Sequence, residues 1–288
     1  MNIGFIGAGK AGCSLGKYFS SKAVQARISV TGYYSLIEEE AKWAATFTES
    51  EAFRTMDDVI VASDTIILST PDGAIKNVWE TINKEKIKGK VFCHLSGSLS
   101  SDVFSGIEDC GAYPISIHPM FAFSDKESVY QQLNQVCFTL EGHPSAISLW
   151  SEKLEAMGNE AIHISKDVKP KYHTAASILS NHVIAVLNTG YKLLCDCGFA
   201  EDEARHFSEI LVRNNVEHVI KDGSVQALTG PIERGDTRTV EKHLSVIDER
   251  TEELYRVCGN LLLELAQQKN PERDYENMSR ILKGKEIE

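Results

Sequence analysis

Met1-Asn2-Ile3-Gly4-Phe5-Ile6-Gly7-Ala8-Gly9-Lys10-Ala11-Gly12 decides the reading of this chain. An apolar run, Ile3–Ile6, meets three glycines in the spacing G-x-G-x-x-G, and Leu15 and Phe19 follow at helical spacing. Alone, the glycine spacing is weak evidence. Between a strand and a helix it is the fingerprint of a dinucleotide-binding turn. Gly7 permits the tight turn, Gly9 lets backbone approach a pyrophosphate, and Gly12 lets helix and strand pack closely. The free amides of Lys10, Ala11 and Gly12 at the helix start then face the phosphate charge, with Ala8 completing the loop.

Outward from this turn, short runs rich in Val and Ile alternate with helical stretches. Strands are expected at Asn2–Ile6, Ile28–Tyr34, Thr65–Ser69, Val91–His94, Tyr113–Ile117, Val136–Leu140 and Ala161–Ile164, and helices at Cys13–Ser21, Leu36–Ala45 and Ile75–Asn83. Strands without polar alternation are buried on both faces, which implies a doubly wound parallel sheet. From Lys169 onward the strand signal disappears. One long helix is expected over Pro170–Cys197 and a second over Asp202–Lys221. A Gly/Pro/Thr-rich loop follows over Asp222–Asp236, then a helix capped by Asp236 or Thr237, and a last long helix over Glu249–Gln268. The charged tail Asn270–Glu288 reads as partly loose. The fold class is thus an α/β Rossmann domain, residues 1–166, followed by an all-α domain, residues 167–288, with a cleft expected between them.

Composition bounds the partners. The 288 residues carry a formal net charge of -11, which disfavours nucleic acid and anionic membrane, and no apolar stretch reaches a membrane-spanning length. Seven cysteines, at 13, 93, 110, 137, 195, 197 and 258, are odd in number and scattered. They read as reduced thiols of a cytoplasmic protein, and no zinc spacing is visible.

The candidate site residues lie at strand ends. The second strand ends Thr31-Gly32-Tyr33-Tyr34-Ser35, without the acid that holds the ribose of NAD. Ser35 can bond a 2′-phosphate instead, so NADP is expected and NAD stays open. Thr70 and Pro71, after the strand ending at Leu68, should lie beside the cofactor. Ser96 follows one strand and His118 ends the next. A histidine there can exchange a proton near neutral pH, and Ser96 can orient a substrate. His173, Ser177 and Asn181 recur every four residues and so share one helix face, with Lys171 just before them. In Thr229-Gly230-Pro231-Ile232-Glu233-Arg234-Gly235-Asp236, Arg234 either clamps an anionic group or, with Asp236, ties the loop to its neighbours. His243 follows two turns later.

These stretches carry a resemblance. Gly7–Gly12, His118-Pro119, Lys171-x-His173…Asn181 and Thr229-Gly230-Pro231-x-x-Arg234-Gly235-Asp236 with His243 resemble bacterial proteins provisionally named NADP oxidoreductases. Those proteins join a Rossmann-like domain to a helical C-terminal domain of unknown function. They are similar to the 6-phosphogluconate and hydroxyacid dehydrogenases, whose helical domain closes over the nicotinamide and often mediates dimers. The resemblance implies hydride transfer between NADP and a small carbonyl, imine or hydroxy compound, with a homodimer built through the helical domain. His118-Pro119-Met120-Phe121 also looks like a segment of prephenate dehydrogenases, whose active-site serine falls at Ser96, but the helical half does not look like theirs. Pyrroline-5-carboxylate reductases share the opening turn without a matching second helix start. The alternative is a nucleotide-binding sensor or regulatory protein without turnover, which nothing in these residues excludes.

Overall fold

The computed structural model describes residues 1–284. It divides into two units, Met1–His182 and Val183–Glu288.

The first unit is one eight-stranded sheet. Its strands are β1 (Asn2–Ile6), β2 (Ser29–Tyr34), β3 (Glu51–Ala52), β4 (Thr65–Leu68), β5 (Val91–His94), β6 (Tyr113–Pro119), β7 (Phe138–Gly142) and β8 (Ala161–His163). Their order is β3-β2-β1-β4-β5-β6-β7-β8. The first six are parallel and follow the doubly wound order. β7 pairs antiparallel to β6 and β8 runs parallel to β7, so the two outer strands oppose the rest. The crossover helices are α1 (Lys10–Ser21), α2 (Ala23–Ala26), α3 (Glu38–Thr48), α4 (Met56–Ala62), α5 (Asp72–Thr81) and α6 (Pro144–Met157).

Strand periodicity sends alternate side chains to opposite faces. Ile3, Phe5, Ile67 and Cys93 join Leu15, Phe19 and Trp150 in one core. Ile6, Ile66, Leu68 and Phe92 join Trp79 and Phe104 in the other. Both faces are therefore apolar, as the unbroken Val/Ile runs implied.

The unit closes with α7 (Lys169–Ser177) and a π-helical turn, Ile178–His182. The boundary expected at residue 166 lies before α7, whereas the contacts group α7 with the sheet. The reason is Lys169, whose ammonium bonds to β6 and to the end of β5. The helix expected over Pro170–Cys197 is accordingly three segments, α7, the π turn and α8 (Val183–Asp196).

The second unit holds α8, α9 (Glu201–Asp222), α10 (Ser224–Ala227), α11 (Pro231–Arg234), α12 (Thr237–Leu244), α13 (Glu249–Lys269) and α14 (Glu276–Lys283). Asp236 caps α12 by accepting the Thr239 amide at 3.2 Å. The expected Asp222–Asp236 loop contains two single-turn helices. The tail is ordered where α14 buries Met278 and Leu282 against Leu263 and Val240. Its last residues, 285–288, lie outside the described residues. No helix among the described residues is long and apolar enough to cross a membrane.

Two buried polar devices stiffen the first unit. Tyr18 donates to Asn159 Oδ1 at 2.6 Å, and Asn159 Nδ2 donates to the carbonyls of Leu133 and Val136 at 2.7 and 3.0 Å. Tyr18→Phe leaves the buried amide oxygen unpaired. It should lower unfolding free energy by about 1–3 kcal/mol in urea titration, and an unchanged midpoint would refute the account. At the end of β5, buried His94 accepts the Ser96 amide on Nδ1 at 3.2 Å and donates from Nε2 to the Ser100 carbonyl at 3.2 Å. Burial pushes its pKa from 6.5 down to about 4. Between those values the unfolded chain binds a proton that the folded chain refuses. The stability contributed is full above 6.5 and is lost as pH falls toward 4. The urea midpoint should drop across that window, and His94→Gln should lose less over the same range than the parent protein does.

Candidate active site

A parallel sheet brings its strand carboxyl ends to one edge, and the crevice opens where the order reverses between β1 and β4. Gly7 sits there with φ of +105°, a conformation side chains resist, and its amide donates to the Tyr34 carbonyl at 2.8 Å. A Cβ on Gly7 would stand 3.0 Å from the Ser69 backbone, and one on Gly12 would collide with the Ser69 side chain. These two glycines are required by the fold itself. Gly9 differs: a Cβ there would meet only the Ser69 carbonyl oxygen, at 4.0 Å. The protein does not need a glycine at that position, whereas a ligand lying against the turn would. α1 begins at Lys10 with no acidic residue in its first turn, so the amides of Lys10, Ala11 and Gly12 face no carboxylate there.

Beside the turn is a cavity of about 670 Å³ bordered by Gly7, Ala8, Gly9, Ser35, Thr70 and Pro71. Ser35 accepts the Ile37 amide at 3.3 Å and keeps its own proton to donate. Thr70 Oγ1 is buried without a partner among the described residues. An orphaned hydroxyl, an unneeded glycine and a helix start free of acids fit a dinucleotide. The residues predicted from sequence to hold a cofactor therefore converge on one cavity and the helix start beside it.

Along the same edge stands a polar cluster. Ser96 is buried; its hydroxyl donates to Asp72 Oδ2 at 2.6 Å and accepts the Ser98 and Leu99 amides at 3.2 and 3.0 Å. Asp72 opens α5 and also accepts the Ser98 hydroxyl at 3.1 Å. At the end of β6, His118 places Nδ1 2.7 Å from the hydroxyl of Tyr172 on α7. His173 stands perpendicular to it, ring centroids 6.0 Å apart. Between the two imidazoles lies Gly97, where a Cβ would be 2.7 Å from His173 Nδ1 and 2.8 Å from His118 Nε2. Only glycine leaves room for both rings.

Burial, reinforced by the Lys169 charge and by His173, pushes the pKa of His118 from 6.5 down to about 4. The expected titration near neutrality is thus displaced, and the working form at neutral pH is the uncharged imidazole. Burial raises the pKa of Tyr172, which therefore keeps its proton at neutral pH.

The structure brings Ser96, His118 and His173 together. Asn181 lies in the π turn, exposed, and accepts the Ser180 hydroxyl at 3.1 Å. The wider turn breaks the four-residue spacing that had aligned it with His173 and Ser177. Arg234 is exposed in the second unit, where Asp236 is spent on its cap and His243 Nδ1 lies 2.9 Å from the Tyr255 hydroxyl. Sequence reasoning missed Asp72, Tyr172 and Lys169. Asp72 directly follows Thr70-Pro71 at a strand end. Tyr172 neighbours His173, and Lys169 precedes it by one helical turn. Position alone could have found the first, but nothing in the sequence pairs the other two with β6.

Residues 1–119 match the Rossmann-like domain family, and residues 136–261 match the domain of unknown function DUF2520. No curated protein matches the sequence. Among solved structures, the protein TM1727 of Thermotoga maritima is 24% identical, with a TM-score of 0.72 over 93% of this chain and 99% of that one. The Bacteroides fragilis protein BF3122, provisionally named an NADP oxidoreductase, is 21% identical, with a TM-score of 0.71 over 91% and 98%. The pyrroline carboxylate reductase of Plasmodium falciparum, solved with NADP bound, shares the fold at 12% identity and a TM-score of 0.60 over 97% and 98%. The two family models together take in most of the chain, and the fold is shared along nearly its whole length with the first two of these proteins.

Proposed function

We propose that this protein is an NADP(H)-dependent oxidoreductase acting on a small carbonyl, imine or hydroxy compound beside Ser96, His118 and His173. The observation that carries the reading is the uncharged His118, joined to Tyr172, on the same sheet edge as the Gly7–Gly12 turn. NADP is preferred because Ser35 takes the place of the ribose-binding acid. The pyrroline carboxylate reductase solved with NADP supports the choice by its shared fold. Bound there, the cofactor would supply or accept the hydride. In the reducing direction, His118 donates the Nε2 proton to the substrate oxygen or nitrogen as Tyr172 passes its proton to Nδ1, and solvent then returns a proton to the partly exposed Tyr172 hydroxyl. Ser96, fixed by Asp72, orients the substrate. Seven thiols, none paired in a disulfide, suit the reducing cytoplasm.

NADPH oxidation assayed against oxo acids, imines and aldehydes tests the activity. His118→Ala should cut turnover by about a hundred- to ten-thousand-fold while NADPH affinity stays nearly unchanged. Because His118 protonates only near 4, the parent activity should show no loss from this group between about pH 6 and 8. NADPH binding without turnover of any compound would favour a sensor instead.

We also propose a homodimer through the helical unit. α9 spans 22 residues yet buries only Ala204 and Ser208, while Phe207, Ile210 and Leu211, one face at i, i+3 and i+4, are 69, 66 and 67% exposed. An apolar row of this kind on an acidic soluble chain calls for a partner, and a second copy supplies the same row. Sedimentation should show a dimer at micromolar concentration and a monomer for the double variant Ile210→Glu, Leu211→Glu. A monomeric parent protein refutes the assembly.

A further inference from the structure

Lys169 opens α7 and is 1% exposed, the one buried lysine among the described residues. Its Nζ donates to Ser116 Oγ at 2.7 Å and to the Ser96 carbonyl at 3.2 Å. The Ser116 hydroxyl spends its own proton on that same carbonyl, at 3.1 Å, so its oxygen is left to accept. Both partners are therefore acceptors, the environment an ammonium requires. Glu141 lies directly opposite Ser116 in the β6–β7 ladder. It is buried, and its carboxylate accepts the amide and hydroxyl of Ser101 at 2.8 and 2.7 Å. The buried cation thus has its counter-charge on the neighbouring strand.

Spacing turns this anchor into a registration device. Lys169 and Tyr172 are three apart on a helix and share a face. Ser116 and His118 are two apart on a strand and share a face. The two pairs meet in parallel, Lys169 on Ser116 and Tyr172 on His118. One contact fixes the other, and His173, next along α7, is thereby brought against Gly97.

We propose that Lys169 is the positioning residue of this site, a buried cation that sets α7 in register on β6 and so keeps the Tyr172 hydroxyl on Nδ1 of His118. The proposal rests on the reading of His118 as the reactive imidazole. The same ammonium also acts on that ring through space. The charges facing His118 are Lys169 and His173 from α7 and His94 from β5, which oppose its protonation, and Asp72 from α5, which favours it; burial outweighs each of them. Lys169 therefore does two separable things: it selects one imidazole tautomer and it disfavours the charged ring.

The test is nitrogen NMR of the imidazoles in the intact ¹⁵N-labelled protein, with His118→Ala for assignment. The parent should show His118 as a single tautomer, protonated on Nε2, without titration between about pH 6 and 8. In Lys169→Met, which keeps the length of the side chain, both tautomers should be populated. The titration midpoint should rise, because a cation that opposes protonation of the ring has been removed. Ser116→Ala removes the bond to β6, the one that sets the register, and keeps the charge and the bond to the Ser96 carbonyl, so it should mix the tautomers without raising the midpoint. A Lys169→Met spectrum matching the parent in tautomer and midpoint overturns the proposal. If that variant does not fold, a Ser116→Ala spectrum identical to the parent overturns it equally. The spectra need no substrate, so failure of the oxidoreductase reading would appear separately, as absent turnover with these signatures intact.

Discussion

Parallel pairing gives every strand the same direction, and in this chain that constraint arranges almost everything else. The ends of β1, β2, β4, β5 and β6 deliver Gly7, Ser35, Thr70, Ser96 and His118 to a single edge. None of these is near the others in sequence. Their assembly requires only that strands buried on both faces be covered by helices and that each connection return to the opposite edge. β7 and β8 reverse direction after that work is done. β7 then contributes from its side of the ladder, placing Glu141 beside Ser116.

The cost of the arrangement lies in its buried polar groups. His94, Ser96, Ser116, Glu141 and Lys169 are all buried around the ends of β5 and β6. Each would be expensive alone, and each has a partner in this cluster or in the turn that follows it. The network ties β5, β6, β7 and α7 together behind the His118–Tyr172 pair.

The sequence was most legible where one local cause decides structure. Seven of the eight strands are short apolar runs long enough to read. The glycine spacing identified the turn because Gly7 and Gly12 each have a steric reason within the fold. β3 escaped because two residues, Glu51 and Ala52, carry no pattern. The reversed direction of β7 is set by its partner strand and not by its own residues. The π turn broke a stripe that four-residue spacing had drawn through His173 and Asn181, because periodicity assumes an uninterrupted helix. Lys169 and Tyr172 were invisible for a further reason. Their role depends on which strand α7 lands on, and a charged residue at a helix start reads by default as solvated.

The helical unit presents the opposite balance from the sheet. Its core comprises Ile232, Val240, Leu263, Ala266, Tyr275, Met278 and Leu282, contributed by α11 to α14. α8 and most of α9 contribute nothing to it, although Val183, Ile184 and Val186 on α8 are as apolar as any core strand and remain exposed. Helical propensity alone does not hold two such helices in water, since most helical stability in proteins comes from packing an apolar face. The sequence therefore specifies more apolar helix surface than one chain covers. That excess is physical information of the same kind as the glycine at position 9, a residue choice that packing within the chain does not explain.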